Sequence, residues 1–332
     1  MFRLGRKDKF SVGLDLGTKE IKLVKIELNK ENPKLIGFTK EPVSEDLSGT
    51  LKKFSQEHNF NKVNIAVSGA SAIIRYIDFP LMREEELKQA LKFEAEKHIP
   101  FPISELNVDG YILKTGLPEN KMLVLVAAVK KDFLNQRLKL MEEAGLKVNL
   151  VDVDSLALIN AFNFNYPNFE KNKTFALLNL GASFSNLNIL EESIPVLSRD
   201  IQIGANIFIQ RISEILSLDF ETAQELITNL DDETAKKVSP ILDSFLSNLA
   251  SEIRTSFDYY ESQHASSVSK IFLSGGLSLC PQIRESLMGL LDIAVDCWDP
   301  LARIKIAEDL DKEKIKNVSR QLAVAIGLAL RT

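Results

Sequence analysis

The sequence predicts an α/β protein of two related halves, each with a mixed sheet flanked by helices, and a small α+β subdomain inserted into the first half. Three observations predict it: an internal repeat, alternating strand-like and helix-like patterns, and a length of 332 residues, which exceeds one ordinary core. The repeat is the most informative. The segment SVGLDLGTKEIKLVKIE, starting at Ser11, resembles FALLNLGASFSNLNILEE, starting at Phe175. Placing Asp15 over Asn179 also places Leu16 over Leu180, Gly17 over Gly181, Thr18 over Ala182 and Lys22 over Asn186. The copies stand about half the chain apart, far beyond a solenoid period, so they read as a duplicated domain. Each is an apolar strand, a tight glycine-containing turn and a second strand with alternating apolar positions: Ile21 and Leu23, then Leu187 and Ile189. Either copy alone would be an ordinary hairpin; the duplication gives the pair its weight.

Between the halves, residues 83–98 carry Leu87, Leu91 and Ala95 at four-residue steps, with Glu84, Glu85, Glu86, Lys88, Lys92 and Glu96 on the other faces. That spacing predicts an amphipathic helix. The proline-bounded stretch Ile99-Pro100-Phe101-Pro102 follows, then strand-like 106–113, the apolar run 122–129 and a helix marked by Leu134, Leu138 and Met141. This helix, strand, strand, helix order is the inserted α+β unit, before a helix over 155–162 returns to the first half. In the second half 207–216, 223–230 and 241–260 read as helices, with Pro240 breaking the segments. The strand IFLSGG comes next, followed by a helix interrupted early by Pro281, and 320–330 form an Ala- and Leu-rich helix containing Gly327. The expected domains are 10–80, completed by 152–174 and 320–332; the insertion at 81–151; and a second domain at 175–319 with a helical subdomain.

Composition narrows the function classes. A hydrophobic fraction of 45% with 26% charged residues belongs to a packed globular chain. The net charge of -5 offers no general attraction to phosphate backbones, so nucleic acid is not an expected partner. Arg3, Arg6, Lys7 and Lys9 precede no long apolar region or cleavage site, so a cytoplasmic location is expected. The longest apolar runs have buried-strand length, well short of the roughly 20 residues that cross a bilayer, so no direct membrane insertion is expected. Cys280 and Cys297 do not form a disulfide framework by number or context, and His58, His98 and His264 show no ligand-like spacing.

The repeated turns point to phosphate chemistry. A phosphate chain needs backbone N–H donors at close range, which Gly17 and Gly181 permit. Thr18 adds a hydroxyl, and Lys22, expected on one strand face with Thr18, adds a point charge. Asp15 suits Mg²⁺ held through ordered water, because that ion dehydrates reluctantly. Ser274-Gly275-Gly276 after the IFL strand lets backbone approach a base or ribose, although a strand followed by Gly-Gly is by itself a common turn.

Two phosphate hairpins, a Ser-Gly-Gly loop and a terminal glycine-bearing helix, in this order, resemble the actin, heat-shock chaperone and sugar kinase superfamily over almost the whole chain. The resemblance implies an actin-like (ribonuclease H-like) two-domain fold holding ATP or ADP with Mg²⁺ between the halves. By that resemblance Asp15, Gly17, Thr18 and Lys22 match the first phosphate motif, Gly181, Ala182 and Ser183 the second, and Gly275, Gly276 and Leu277 the adenosine motif. Glu252 and Ser256, on the preceding helix, are candidates for ribose or base contacts, with a solvated helix face as the equal alternative.

Within the superfamily, FEAEKHIPFPISEL, VDVDSLALINAF and RDIQIGANIFIQRI followed by LDFETAQELI resemble the PilM family of type IV pilus assembly. The related cell-division protein FtsA shares the position of the insertion but ends in an amphipathic membrane helix that this sequence does not show. PilM-like proteins, the resemblance implies, bind the N-terminal cytoplasmic peptide of the inner-membrane protein PilN beside the insertion. That contact would recruit the protein to the inner face of the inner membrane and couple it to other assembly-platform and motor components. Ile99, Pro100 and Phe101 are candidates for the groove; a proline-stiffened loop closing the local core is the alternative. Homo-oligomers stay open.

One departure matters. Asn179 stands where the superfamily's hydrolases usually carry aspartate, and an amide brings no negative charge to organise Mg²⁺ and its waters. Asp154 matches the region that positions attacking water and is the catalytic candidate, with a helix cap as its alternative. The expectation is Mg²⁺–ATP binding with weak or no hydrolysis, at most a slow ATPase. An actin-like filament-forming ATPase and a small-molecule kinase of the same superfamily are the alternatives.

Overall fold

The computed structural model describes residues 10–29, 32–167, 169, 173–227, 232–280 and 282–331; Pro281 and the end of the 223–230 pattern lie outside them. The chain opens with β1 (Phe10–Leu16), β2 (Glu20–Glu27), β3 (Lys34–Pro42), α1 (Leu47–Glu57) and β4 (Lys62–Val67). Next come β5 (Ala72–Pro80), α2 (Glu84–Glu96), β6 (Leu106–Leu117) and β7 (Lys121–Lys130). The helix α3 (Lys131–Glu143), β8 (Lys147–Val153) and α4 (Asp154–Asn165) lead to β9 (Thr174–Leu180), β10 (Ser185–Glu191) and β11 (Ile194–Ile201). Three helices follow, α5 (Ala205–Leu216), α6 (Phe220–Leu226) and α7 (Asp232–Gln263), then β12 (Val268–Ser274), α8 (Gln282–Leu291) and β13 (Ala294–Cys297). The chain closes on β14 (Lys305–Ile306), α9 (Lys312–Val318) and α10 (Ala323–Leu330). Two compact units result: Met1–Val67 with Asn135–Pro167 and Asp299–Thr332, and Ser68–Leu134 with Asn168–Trp298. Among the described residues no helix is long and apolar enough to cross a membrane.

In unit 1 the sheet order is β14-β3-β2-β1-β4-β8. Period-two burial builds it: Leu14, Ile21 and Leu23 pack with Leu51 and Phe54 of α1 and Met141 of α3 in one buried cluster. Each such side chain withdrawn from water contributes ~1.5–3 kcal/mol. The helix α10 is buried nearly throughout and packs on β1 and α4. A Cβ on Gly327 would lie 1.8 Å from the Ala157 carbonyl oxygen, so the two helices meet backbone to backbone there. The buried Asn64 ties the end of α10 down, its Nδ2 donating to the Leu328 carbonyl at 2.8 Å.

Unit 2 holds two sheets. One has the order β11-β10-β9-β12-β13 and repeats the arrangement of unit 1: three antiparallel strands, then two joined in parallel. In unit 1 the matching run is β3-β2-β1-β4-β8, with β1, β4 and β8 parallel. The other sheet, β5-β7-β6, is antiparallel and carries α2, whose Leu87, Leu91 and Ala95 pack with Phe79, Met122, Val124 and Val126. The strand β5 went unread in the sequence because Arg75 and Asp78 interrupt its apolar pattern, whereas pairing with β7 along its whole length stabilises it.

Pro240 does not break the third helical pattern: it lies inside the continuous α7. A proline in a helix interior costs ~3 kcal/mol or more. Val238, Leu242, Phe245, Leu246, Leu249 and Ile253 are buried on both sides of it, and their packing offsets that cost.

Candidate functional site

Each unit carries one of the two hairpin turns. In unit 1, β1 and β2 place Asp15 directly opposite Lys22, and Lys22 Nζ lies 3.3 Å from Asp15 Oδ2. Both side chains are mostly buried, at 17% and 16% exposure, so the pair is screened less than a surface pair. Arg137, on α3, adds a second cation beside Asp15. Burial holds its pKa below the usual arginine range, and the Asp15 charge works against that shift. No pattern in the sequence marked Arg137. Thr18 is exposed in the turn rather than on the strand, because β2 begins at Glu20; Lys22 therefore shares its strand face with Glu20. A Cβ on Gly17 would meet the Glu20 carbonyl at 2.8 Å, and one on Gly181 would meet the Phe184 carbonyl at 2.6 Å, so both turns demand the same missing side chain.

In unit 2 the corresponding pair has no charge. Asn179 stands opposite Asn186, and Asn179 Nδ2 donates to Asn186 Oδ1 at 3.5 Å. Asn186 Nδ2 donates in turn to Asp200 Oδ1 on β11 at 2.5 Å. Burial raises the Asp200 pKa, while its bonds from Asn186 and the Gly69 amide oppose the rise. Asp200 lies within the segment RDIQIGANIFIQRI, and nothing in spacing alone sets it beside Asn186. The Gly181-Ala182-Ser183 turn is tied to α5: the Ala205 amide donates to the Gly181 carbonyl and the Asn206 amide to that of Ala182. Beside it, Asn206 Oδ1 is buried without a hydrogen-bond partner among the described residues.

The adenosine candidate lies beside the second hairpin in the same unit, because β12 pairs with β9 and sets Ser274 opposite Asn179. Gly275 has φ +87, and a Cβ there would come 2.4 Å from the Leu180 carbonyl, so only glycine fits without movement. Gly276 has open space where a Cβ would stand. Leu277 directs its side chain into the core, leaving only its backbone to meet a ligand. Glu252 and Ser256 are engaged by Arg199 of β11: the Arg199 guanidinium meets Glu252 Oε2 at 2.5 Å and Ser256 Oγ at 2.9 Å. Ser256 is buried at 2% exposure.

Asp154 is the first residue of α4, after Val153 as the cap, and its Oδ1 accepts from the Ser155 amide at 2.7 Å. Ile99 is buried against α2, Pro100 is exposed, and Phe101 packs at the cluster's edge with Lys130 Nζ 4.2 Å from its ring centre.

The charged residues of unit 1 have the chemistry to meet a phosphate group and a hydrated divalent ion. Asp15 supplies an acceptor, and Lys22 and Arg137 supply positive charge. The orphaned Asn206 acceptor suits a donor such as water. Among the described residues no group of three or more His, Cys, Asp or Glu could hold a metal. A metal here would draw its remaining ligands from phosphate and water.

Comparison with known proteins agrees with this fold. The model of the family described as Type IV pilus assembly protein PilM matches residues 13–332. The solved PilM-PilN type IV pilus biogenesis complex contains a chain of 26% identity and TM-score 0.85, covering 97% of this chain and 98% of that one. The ethanolamine utilization protein EutJ of Carboxydothermus hydrogenoformans is similar at 12% identity and TM-score 0.56, covering 97% and 90%. Component A of the (R)-2-hydroxyglutaryl-CoA dehydratase of Acidaminococcus fermentans is similar at 12% identity and TM-score 0.51, covering 97% and 96%. The last two share the fold alone. With duplicated mixed sheets, glycine turns opening each, and a family match over almost its whole length, the chain belongs to the PilM family of type IV pilus assembly proteins and has the actin-like ATPase fold.

Proposed function

We propose that the protein is a cytoplasmic Mg²⁺–ATP-binding scaffold of the type IV pilus assembly platform, recruited to the inner membrane by a PilN-type N-terminal peptide. The observation that carries this reading is the contrast between the hairpins: a charged Asp15–Lys22 pair in unit 1, an uncharged Asn179–Asn186 pair in unit 2. Lys22 acts as a point charge on phosphate, with Arg137 reinforcing the local positive field. Asp15 accepts from water carried by the ion. Bound Mg²⁺ supplies neutralisation of phosphate charge. The backbones of Gly17, Thr18, Gly181, Ala182 and Ser183 cradle phosphate oxygens, and Gly275, Gly276 and Leu277 approach the adenosine. Without an acid at position 179 the arrangement favours holding ATP over turning it over, and Asp154 has the carboxylate to orient a water in a slow reaction.

The PilN reading rests on the 26% identical chain solved as a PilM-PilN complex. Phe101 and Pro100 are the proposed edge of the peptide groove, while Ile99 anchors their loop. Titrating a synthetic PilN N-terminal peptide into the protein tests the reading. Saturable binding that weakens about tenfold in Phe101→Ala is expected. No binding by wild type contradicts the partner, and equal binding by both removes Phe101 from the groove.

A further inference from the structure

A row of polar side chains crosses the second sheet in the order its strand pairing imposes. Asp200 on β11 stands opposite Asn186 on β10, Asn186 opposite Asn179 on β9, and Asn179 opposite Ser274 on β12. The side chains follow the same order. Ser274 Oγ donates to Asn179 Oδ1 at 3.3 Å, Asn179 Nδ2 to Asn186 Oδ1 at 3.5 Å, and Asn186 Nδ2 to Asp200 Oδ1 at 2.5 Å. An amide has a donor end and an acceptor end, whereas an ionised carboxylate only accepts. Asp200 therefore sets the direction of the whole row. Asn186 must turn its NH₂ towards Asp200, which leaves its carbonyl for Asn179, and Asn179 must then present its own carbonyl to Ser274. Asn186 is 2% exposed and Ser274 fully buried, so no solvent is at hand to satisfy either in the reverse order.

Unit 1 carries the opposite polarity at the corresponding places. Asp15, Lys22 and Lys40 stand opposite one another across β1, β2 and β3, and Lys22 donates towards Asp15. In that unit the acid lies on the first strand of the hairpin and a cation, Lys40, on the third. In unit 2 the first strand carries an amide and the third carries the acid. The carboxylate that position 179 lacks has its counterpart two strands away, connected by one amide.

We propose that Asp200 is a positioning residue of the second hairpin: acting through Asn186, it fixes Asn179 with its carbonyl oxygen as the acceptor, so this neutral side chain takes a hydrogen bond from water on a nucleotide-bound divalent cation. The assignment rests on the nucleotide reading above. A carbonyl oxygen has two lone pairs, and Ser274 occupies one of them. Asn179 is half-buried rather than sealed, which leaves the second lone pair for a water donor. Asp200 itself is held by two donors, Asn186 and the Gly69 amide, and need not touch nucleotide, ion or water.

The test is a cycle of Asp200→Asn, Asn179→Asp and the double variant. Two readouts are taken: melting temperature without nucleotide, and ADP affinity by calorimetry with and without Mg²⁺. Asp200→Asn allows the row to run either way, so its Mg²⁺-dependent affinity falls about tenfold while metal-free affinity stays at the wild-type level. Asn179→Asp sets carboxylates on both sides of Asn186, which can donate to only one, and lowers the melting temperature. In the double variant Asn186 turns round to donate to the new carboxylate at position 179, and both readouts recover beyond either single variant. Additive losses in melting temperature, or wild-type Mg²⁺ dependence in Asp200→Asn, overturn the proposal. If wild type binds no nucleotide, the nucleotide reading and the cation-water role fall together, while a non-additive melting cycle would still uphold Asp200 as the residue that orients the row.

Discussion

Asp15 and Asn179 occupy the same place in the two copies of one hairpin, and their neighbours determine what each can do. Asp15 is flanked by Lys22 and Arg137, so its carboxylate sits in a positive surrounding that also suits phosphate. The matched places of Asp15 and Asn179, Lys22 and Asn186, and the two glycine turns were legible because the copies align residue for residue. Arg137 and Asp200 were not legible, because each reaches its partner across elements that share no sequence periodicity. The same holds for the buried Asp152 on β8, whose Oδ2 accepts from Arg331 Nε at 2.9 Å. Burial raises its pKa more than Arg331 lowers it. An acid with a raised folded-state pKa binds its proton more tightly when folded, so its ionised form costs stability at neutral pH. As pH falls from the raised value towards the ordinary 3.8, this cost disappears. The stability difference between wild type and Asp152→Asn is therefore expected to shift in favour of wild type across that window, measured by urea unfolding at a series of pH values. A difference that stays flat, or moves the other way, contradicts the assignment.

Elements with a strong period were readable, and those stabilised by neighbours were not. The helix α2 follows its four-residue apolar steps, and the hairpins follow their period of two. The strand β5 forms because β7 satisfies its backbone, and β6 runs on to Leu117 for the same reason. Pro240 is the clearest conflict between local preference and packing: the helix runs through it because the side chains around it are buried. If packing rather than proline sets this segment, Pro240→Ala should raise stability by ~3 kcal/mol, since a helix former replaces a breaker without disturbing the core. A gain in melting temperature checks it. A loss would mean that the proline's bend is itself required by the packing.

At the scale of the molecule, one sheet topology is used twice and has diverged in charge. Three antiparallel strands followed by two in parallel recur in both units, and a buried glycine approach joins α10 to α4 beneath the first. What diverged is the polar row: acid, lysine, lysine in unit 1; amide, amide, acid in unit 2. The duplicated backbone explains why both units keep a glycine turn, and the divergence in charge supports the proposed nucleotide-dependent scaffold over a motor. On the proposed function, unit 1 retains the charged, cation-dependent part of nucleotide binding. Calorimetric titration of ATP into nucleotide-free protein, with and without Mg²⁺, for wild type and Asp15→Ala, tests it most directly. Wild type should bind ATP about tenfold or more tightly with Mg²⁺ than without, and Asp15→Ala should lose that gain while keeping metal-free binding. ATP that does not bind wild type, or a Mg²⁺ gain that survives in Asp15→Ala, would contradict the account.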